Sequence, residues 1–220
     1  MTAFLLGVLS SLLATALVFV GGWLRTGRPR WWLLGLLSRL TGTGITRLYR
    51  HQGSSEVDLA QDLARARWVK VLVGRGNVLT RDAFTPLWSG APKPVQVLLP
   101  DPDSDPATWL SRRGADLAHT DPGFGPELLR AQVRANTDYM RRVRERSPAV
   151  DLRQFDLPNT FRIIATDSGA YLTFYGRHEH GRHSPCLHLA ASGALYHAAL
   201  GLFEFAWANS VTSRGRRGGG

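Results

Sequence analysis

The stretch from Tyr175 to Leu189, YGRHEHGRHSPCLHL, gathers four of the chain's seven histidines and its only cysteine. His178, His180, His183, Cys186 and His188 are the residue types that hold tetrahedral zinc through imidazole nitrogen and thiolate. His178 and His180 stand at strand spacing, as do Cys186 and His188, so each pair shares a side of an extended chain. The spacing matches no established zinc finger, one thiolate is few for a structural site, and histidine-rich turns are commonly just solvated. Two readings follow. The first, which the spacing favours, is a polar turn that needs no cofactor; the second is a zinc site.

Other stretches carry weaker chemistry. Gly74-Arg75-Gly76 resembles the start of a phosphate-cradling loop, but the third glycine of a dinucleotide fingerprint would fall on Leu79, so a strand-terminal turn fits better. Asp101, Asp103 and Asp105 alternate in DPDSDP, yet Pro106 and Arg112 stand where a calcium loop needs glycine and glutamate. This proline-stiffened loop at a strand's C-terminal edge is a place where ligand clefts form. Ser168 and His197 lack a nucleophile elbow around any serine. Arg130, Arg134, Arg141, Arg142, Arg144 and Arg146 line one helix face. That face reads as solvated and partly ion-paired, or as a contact for anionic lipid headgroups or a phosphorylated ligand, since arginine forks match phosphate.

The elements that position these residues follow from periodicity. Val57 to Ala66 reads as a short helix, Trp68 to Gly74 and Val95 to Leu99 as buried strands, and Thr80 to Trp88 as the helix joining them. That β-α-β unit favours a parallel sheet. Pro126 to Arg146 is a helix with Leu129, Val133, Asn136, Met140 and Val143 on one face. Short strands follow at Val150 to Phe155, Phe161 to Thr166, Ala170 to Tyr175 and Leu187 to Leu189. A last helix spans Leu195 to Asn209. The expected fold is a mixed-sheet α/β domain over residues 54–210.

Charge divides the chain. The net is +10 over 220 residues, with 44% hydrophobic residues, but the basic excess sits in residues 25–50 and in the tail 211–220, which reads as disordered. The domain itself is nearly neutral, which argues against nucleic acid as a partner. One cysteine excludes an internal disulfide framework. Phe4 to Leu24 is uncharged and at ~1.5 Å per residue reaches about 30 Å, a bilayer's hydrocarbon thickness. Residues 1–24 are therefore expected to anchor the chain in the cell membrane as a single pass. The arginines that follow place the C-terminal domain in the cytoplasm. Residues 25–53 are expected to form a basic interfacial segment, with Trp23 at the end of the anchor and Arg25, Arg28, Arg30, Trp31 and Trp32 meeting the lipid headgroups.

The order VKVLVGRG, helix, VQVLLPDP, long helix, VDLRQFD, RIIATD, AYLTFY and final helix resembles a single phospholipase-D-like domain, over about residues 56–210. The resemblance implies an α/β fold and an active site built from two like halves. Its enzymes use a His-x-Lys motif followed by an aspartate, with the histidine as phosphoryl acceptor and the lysine on phosphate oxygens. The only lysines here are Lys70 and Lys93, neither of them two residues after a histidine. The corresponding strand reads RIIATD, leaving Arg162 to touch a phosphate and Asp167 to match the motif's aspartate. The chain thus resembles a degenerate, membrane-anchored bacterial form of that family, with Arg75, Asp101, Arg162 and Asp167 as candidate ligand contacts. Two functions are expected from this. One is a non-catalytic module, paired as a homodimer, that binds a nucleotide or other phosphorylated ligand in a regulatory or defence role. The alternative is a divergent phosphodiesterase or nuclease working through the His178–His188 cluster, with or without metal.

Overall fold

The computed structural model describes residues 35–212 apart from 39, 106 and 179. The apolar run Phe4–Leu24, the interfacial residues Trp23 to Trp32 and the tail beyond Thr212 lie outside the described residues. Among those described, no helix is long and apolar enough to cross a membrane.

Eight strands form one mixed sheet in the order β1-β7-β6-β5-β2-β3-β4-β8. They are β1 (Ile45–Tyr49), β2 (Val69–Leu72), β3 (Val95–Pro100), β4 (Val150–Phe155), β5 (Phe161–Thr166), β6 (Gly169–Phe174), β7 (Cys186–Ala190) and β8 (Val211–Thr212). β2, β3 and β4 run parallel, and the remaining pairs are antiparallel. The parallel centre is the expected β-α-β unit. Its connection, however, is a 3-10 turn (Asn77–Thr80) and a five-residue helix, α2 (Thr85–Ser89), in place of one continuous helix. Pro86 inside this stretch has no N–H to give to a longer helix.

Helices cover both faces. On one face lie α1 (Glu56–Arg65) and α4 (Pro126–Arg146), whose Leu59, Leu63, Met140 and Val143 meet Val71, Val97 and Ile164 of the sheet. On the other, α5 (Ala194–Ala208) covers Leu98, Ile163, Ala170 and Leu189 with Tyr196, Ala199 and Phe203. A helix missed in the sequence, α3 (Trp109–Ala118), packs through Leu110 and Leu117 on Leu129 and Val133 of α4. The helices come close together at Gly114, where a Cβ would stand 2.4 Å from the Pro126 Cα.

Two boundaries differ from the sequence reading. Ile45–Tyr49 falls in the segment read as interfacial, yet it forms the edge strand beside β7. Its middle residues are exposed, so it lacks the alternating apolar pattern by which strands are found. Val211–Thr212, read as the start of the tail, pairs with Arg153 and Gln154 of β4.

Candidate functional site

β5 is antiparallel to β2, so the start of β5 meets the end of β2, with Ile163 opposite Leu72. Arg162 therefore lies beside the Gly74-Arg75-Gly76 turn, and Tyr175, just past β6, closes the third side. These strand ends, α3 and the loop before β7 enclose a cleft of about 330 Å³. Five arginines line it: Arg75, Arg81, Arg113, Arg162 and Arg182. Among the described residues Asp121 is the one acid on its wall, and Trp109, Phe124, Gln132, Asn159 and His180 also line it. The volume falls in the range of small-molecule sites.

Arg162 is the deepest of these cations, with 2% of its surface exposed. None of its Nε, Nη1 or Nη2 atoms donates a hydrogen bond within the described residues. Strand alternation places it in a row with Thr173 and Cys186 across β5, β6 and β7. Burial depresses the pKa of its guanidinium, while nearby Tyr175 and the Cys186 thiol work the other way. A buried charge without an acceptor is costly, so this arrangement calls for an anion.

The neighbours are better held. Arg75 donates to Gln132 Oε1 at 3.0 Å and lies 5.2 Å from the Phe124 ring centroid. Its turn is fixed by Asn136, whose Nδ2 donates to the Arg75 carbonyl at 2.8 Å. Gly76 has φ +91, and a Cβ there would approach Leu99 Cδ2 and Asn136 Cβ to 2.8 and 2.9 Å, so only glycine fits. Arg113 donates to the carbonyls of Gly176 and Arg177 at 2.8 and 2.6 Å, tying α3 to the loop before β7. Burial lowers the pKa of Arg75 and Arg113 as well, and for Arg75 the charges of Arg113, Arg182 and Arg81 add to that. Tyr175 is held between Gly74 and Gly181, and burial raises its phenol pKa against the pull of the arginines.

Of the sequence candidates for ligand contact, Arg75 and Arg162 meet in this cleft, while Asp101 and Asp167 do not line it. Asp101 accepts from the Asp103 amide at 2.9 Å and shapes its own turn. Asp167 follows the far end of β5 and is bound by Arg67, whose amide and Nε each donate at 2.8 Å. The arginine face of α4 is likewise structural in part. Arg130 donates to the carbonyls of Pro102 and Ser104 at 3.0 and 2.8 Å, and Arg134 pairs with Asp103 at 2.7 Å.

The histidine cluster disperses. His178 faces the Asp116 carbonyl and the His119 ring, and His180 sits 3.1 Å from Asp121 Oδ2. His183 accepts from Arg182 Nε at 3.0 Å, Cys186 is buried, and His188 lies 3.4 Å from Asp62 Oδ2. Among the described residues no three His, Cys, Asp or Glu side chains come together as a metal site. Only His180 of the five lines the cleft.

Arg113, Arg182, Asn159 and Trp109 were missed. Arg113 and Trp109 belong to the helix the sequence did not show, whereas Arg182 stood in view inside the histidine stretch.

No family model matches the chain, and no curated protein matches it. Solved structures similar to it include the following three. An archaeal chromatin protein, TrmBL2, described as showing a novel mode of DNA binding, is 12% identical with a TM-score of 0.47; the match covers 86% of this chain and 63% of that one. The chain thus spans less than two thirds of that protein. Nuc of Salmonella typhimurium, a phospholipase D family member, is 9% identical with a TM-score of 0.48, covering 77% and 99% of the two chains. NucT from Helicobacter pylori is 10% identical with a TM-score of 0.44, covering 76% and 98%. Similarity of this size bears on neither ligand nor chemistry; the cleft's own residues do.

Proposed function

We propose that this chain is a degenerate phospholipase-D-like half, tethered to the membrane, that binds a nucleotide or another phosphorylated ligand without hydrolysing it, in a regulatory or defence role. The observation that carries this reading is the Arg162 guanidinium, buried against the cleft with no oxygen acceptor among the described residues. Phosphate supplies charge and several acceptor oxygens to such a fork. Phosphoryl transfer also needs a nucleophile at phosphorus. The residue two positions before Arg162 is Thr160, exposed and outside the cleft lining, where a His-x-Lys motif would place its histidine. In the same reading residues 1–24 anchor the chain, the domain faces the cytoplasm, and two copies pair. Exposed Leu48 on edge strand β1, together with Leu202 and Phe205 on α5, offers apolar surface for that pairing.

One arrangement favours the alternative. His180 lines the cleft with Asp121 as its partner, and a carboxylate-oriented imidazole is the minimum apparatus for a phosphodiesterase. Two assays separate the readings. The full-length protein in detergent micelles is melted with inorganic pyrophosphate, phenyl phosphate and methyl phenyl phosphate in turn. A rise of several degrees with at least one of them is expected, and no rise with any of the three removes the phosphate-binding reading. Hydrolysis of bis(4-nitrophenyl) phosphate should stay at background. Turnover that disappears in His180→Ala replaces the non-catalytic reading with the phosphodiesterase.

A further inference from the structure

The cleft's unmet hydrogen-bonding groups are all of one kind. Arg162 contributes Nε, Nη1 and Nη2, Asn159 contributes Nδ2, and Trp109 contributes Nε1; each is buried and donates to nothing among the described residues. The Asn159 amide is not ambiguous in orientation, because its Oδ1 accepts from the Phe161 amide at 3.0 Å. No side-chain acceptor lining the cleft is buried and unmet among the described residues. The ligand must therefore bring several acceptor oxygens together and little to donate.

Its charge can be bounded as well. Arg75, Arg162 and Arg182 make no ion pair among the described residues; Arg75 donates to an amide and Arg182 to an imidazole. Asp121 is engaged by His180, and Arg81 by Glu56. Three guanidiniums around one small space repel one another until about as much negative charge joins them. A phosphodiester brings one charge and two non-bridging oxygens. A terminal phosphate brings about −1.5 to −2 charges at neutral pH and three acceptor oxygens, and a diphosphate end brings more.

We propose that the cleft takes a small ligand by its free phosphate terminus, a phosphomonoester or diphosphate, and discriminates against phosphodiesters. This rests on the phosphate-binding reading above. Arg162, Asn159 and Trp109 grip the oxygens at the floor, and Arg75 and Arg182 supply the further charge that a diester does not need. The organic part of the ligand lies toward Phe124, Leu117 and Leu129, the apolar wall of the same cleft.

Titration calorimetry on the full-length protein in detergent tests the distinction with phenyl phosphate, methyl phenyl phosphate and inorganic pyrophosphate. Phenyl phosphate and pyrophosphate should bind at least tenfold more tightly than methyl phenyl phosphate. The phenyl phosphate affinity should fall as pH drops below about 6, where the ester dianion takes up a proton and becomes a monoanion, more steeply than the diester affinity. Arg182 is exposed, so Arg182→Gln is compatible with folding. It should weaken phenyl phosphate about tenfold and methyl phenyl phosphate less than twofold. Equal or tighter binding of the diester, or equal losses in Arg182→Gln, overturns this inference while the phosphate-binding reading stands. Failure of all three probes to bind removes that reading itself.

Discussion

Two polar clusters occupy the same face of the same sheet and are built to opposite effect. Around β1, β6 and α1, the Tyr171 hydroxyl donates to Asp62 Oδ2 at 2.6 Å, and His188 Nε2 lies 3.4 Å from that oxygen. Tyr49 and Arg47 share Asp58, and Thr46 meets the His188 Nδ1. Every polar tip in this network has a partner, and burial with the Asp58 contact pushes the Tyr49 phenol up to about 12. In the cleft at the ends of β2 and β5, the donors of Arg162, Asn159 and Trp109 are buried with none. Both clusters contain buried ionisable groups, so perturbed titration does not separate them. Closure of the hydrogen-bond account does. A network that satisfies itself is structure, and the one left open on the donor side is where we propose that an anion binds.

The comparison breaks most sharply at Arg162. Arg162→Met keeps the volume and removes the charge. The unliganded protein should melt at the same temperature or higher, because an uncompensated buried cation is gone. Stabilisation by pyrophosphate should disappear. A strong loss of stability in the absence of ligand would show instead that Arg162 holds the sheet, and the two clusters would then differ only in degree.

Asp62→Ala is the converse experiment. It orphans the Tyr171 hydroxyl and leaves His188 without its carboxylate, at a cost of about 1–3 kcal/mol in unfolding free energy. Pyrophosphate affinity should be unchanged within twofold. Loss of that affinity at constant stability would join the two clusters into one site.

How much of this was legible in the sequence depended on the kind of element. α4 could be bounded from Pro126 at its first turn and the apolar face through Leu129, Val133 and Met140. β2, β3 and β5 were legible as apolar runs because each is buried on both faces of the sheet. α3 was not, because Gly114 lowers its helical propensity, and the reason for Gly114 is the approach of Pro126 from a distant part of the chain. Arg113 and Trp109 were lost with that helix. β1 escaped because an exposed edge strand among arginines carries no alternating pattern. Arg162 came into view only through the family resemblance, as the cation on the strand where the motif would stand. Asp167 was grouped with it because the resemblance matches it to the motif's aspartate, although the length of β5 puts the two at opposite ends.

A smaller effect is expected with pH. Burial depresses the pKa of His188, against the opposing pull of Asp62 and Asp58 on α1; Arg47 on β1 acts in the same direction as burial, and Tyr171 of β6 packs on its ring. A folded pKa below the unfolded one means that stability is fully present above about 6.5 and is lost as pH falls through the folded value. His188→Gln retains a donor toward Asp62 and does not titrate. The difference in melting temperature between pH 7.5 and 5.5 should therefore be smaller in His188→Gln than in the parent. An unchanged difference would place the pH response elsewhere, with the cleft the next region to examine.

The least effect is expected at Asp167, and it sharpens the comparison because resemblance to a catalytic motif would rank it first. Its carboxylate accepts from the Arg67 amide and side chain, which hold its pKa below the usual aspartate range. The Arg67 side chain is 83% exposed, so the ion-pair component is weak, about 1 kcal/mol or less. Asp167→Asn keeps an oxygen for the Arg67 amide and gives up only the charge. Stability should fall by no more than that amount, and only above the pH at which the carboxylate ionises in the folded protein, since a depressed folded pKa contributes nothing once the group is protonated in both states. Pyrophosphate binding should match the parent. A loss of binding in Asp167→Asn at near-parental stability would mean that the far end of β5 reaches the ligand, through a second copy or a rearranged sheet edge. The division between a closed structural network and an open anion site would then have to be redrawn around the whole strand.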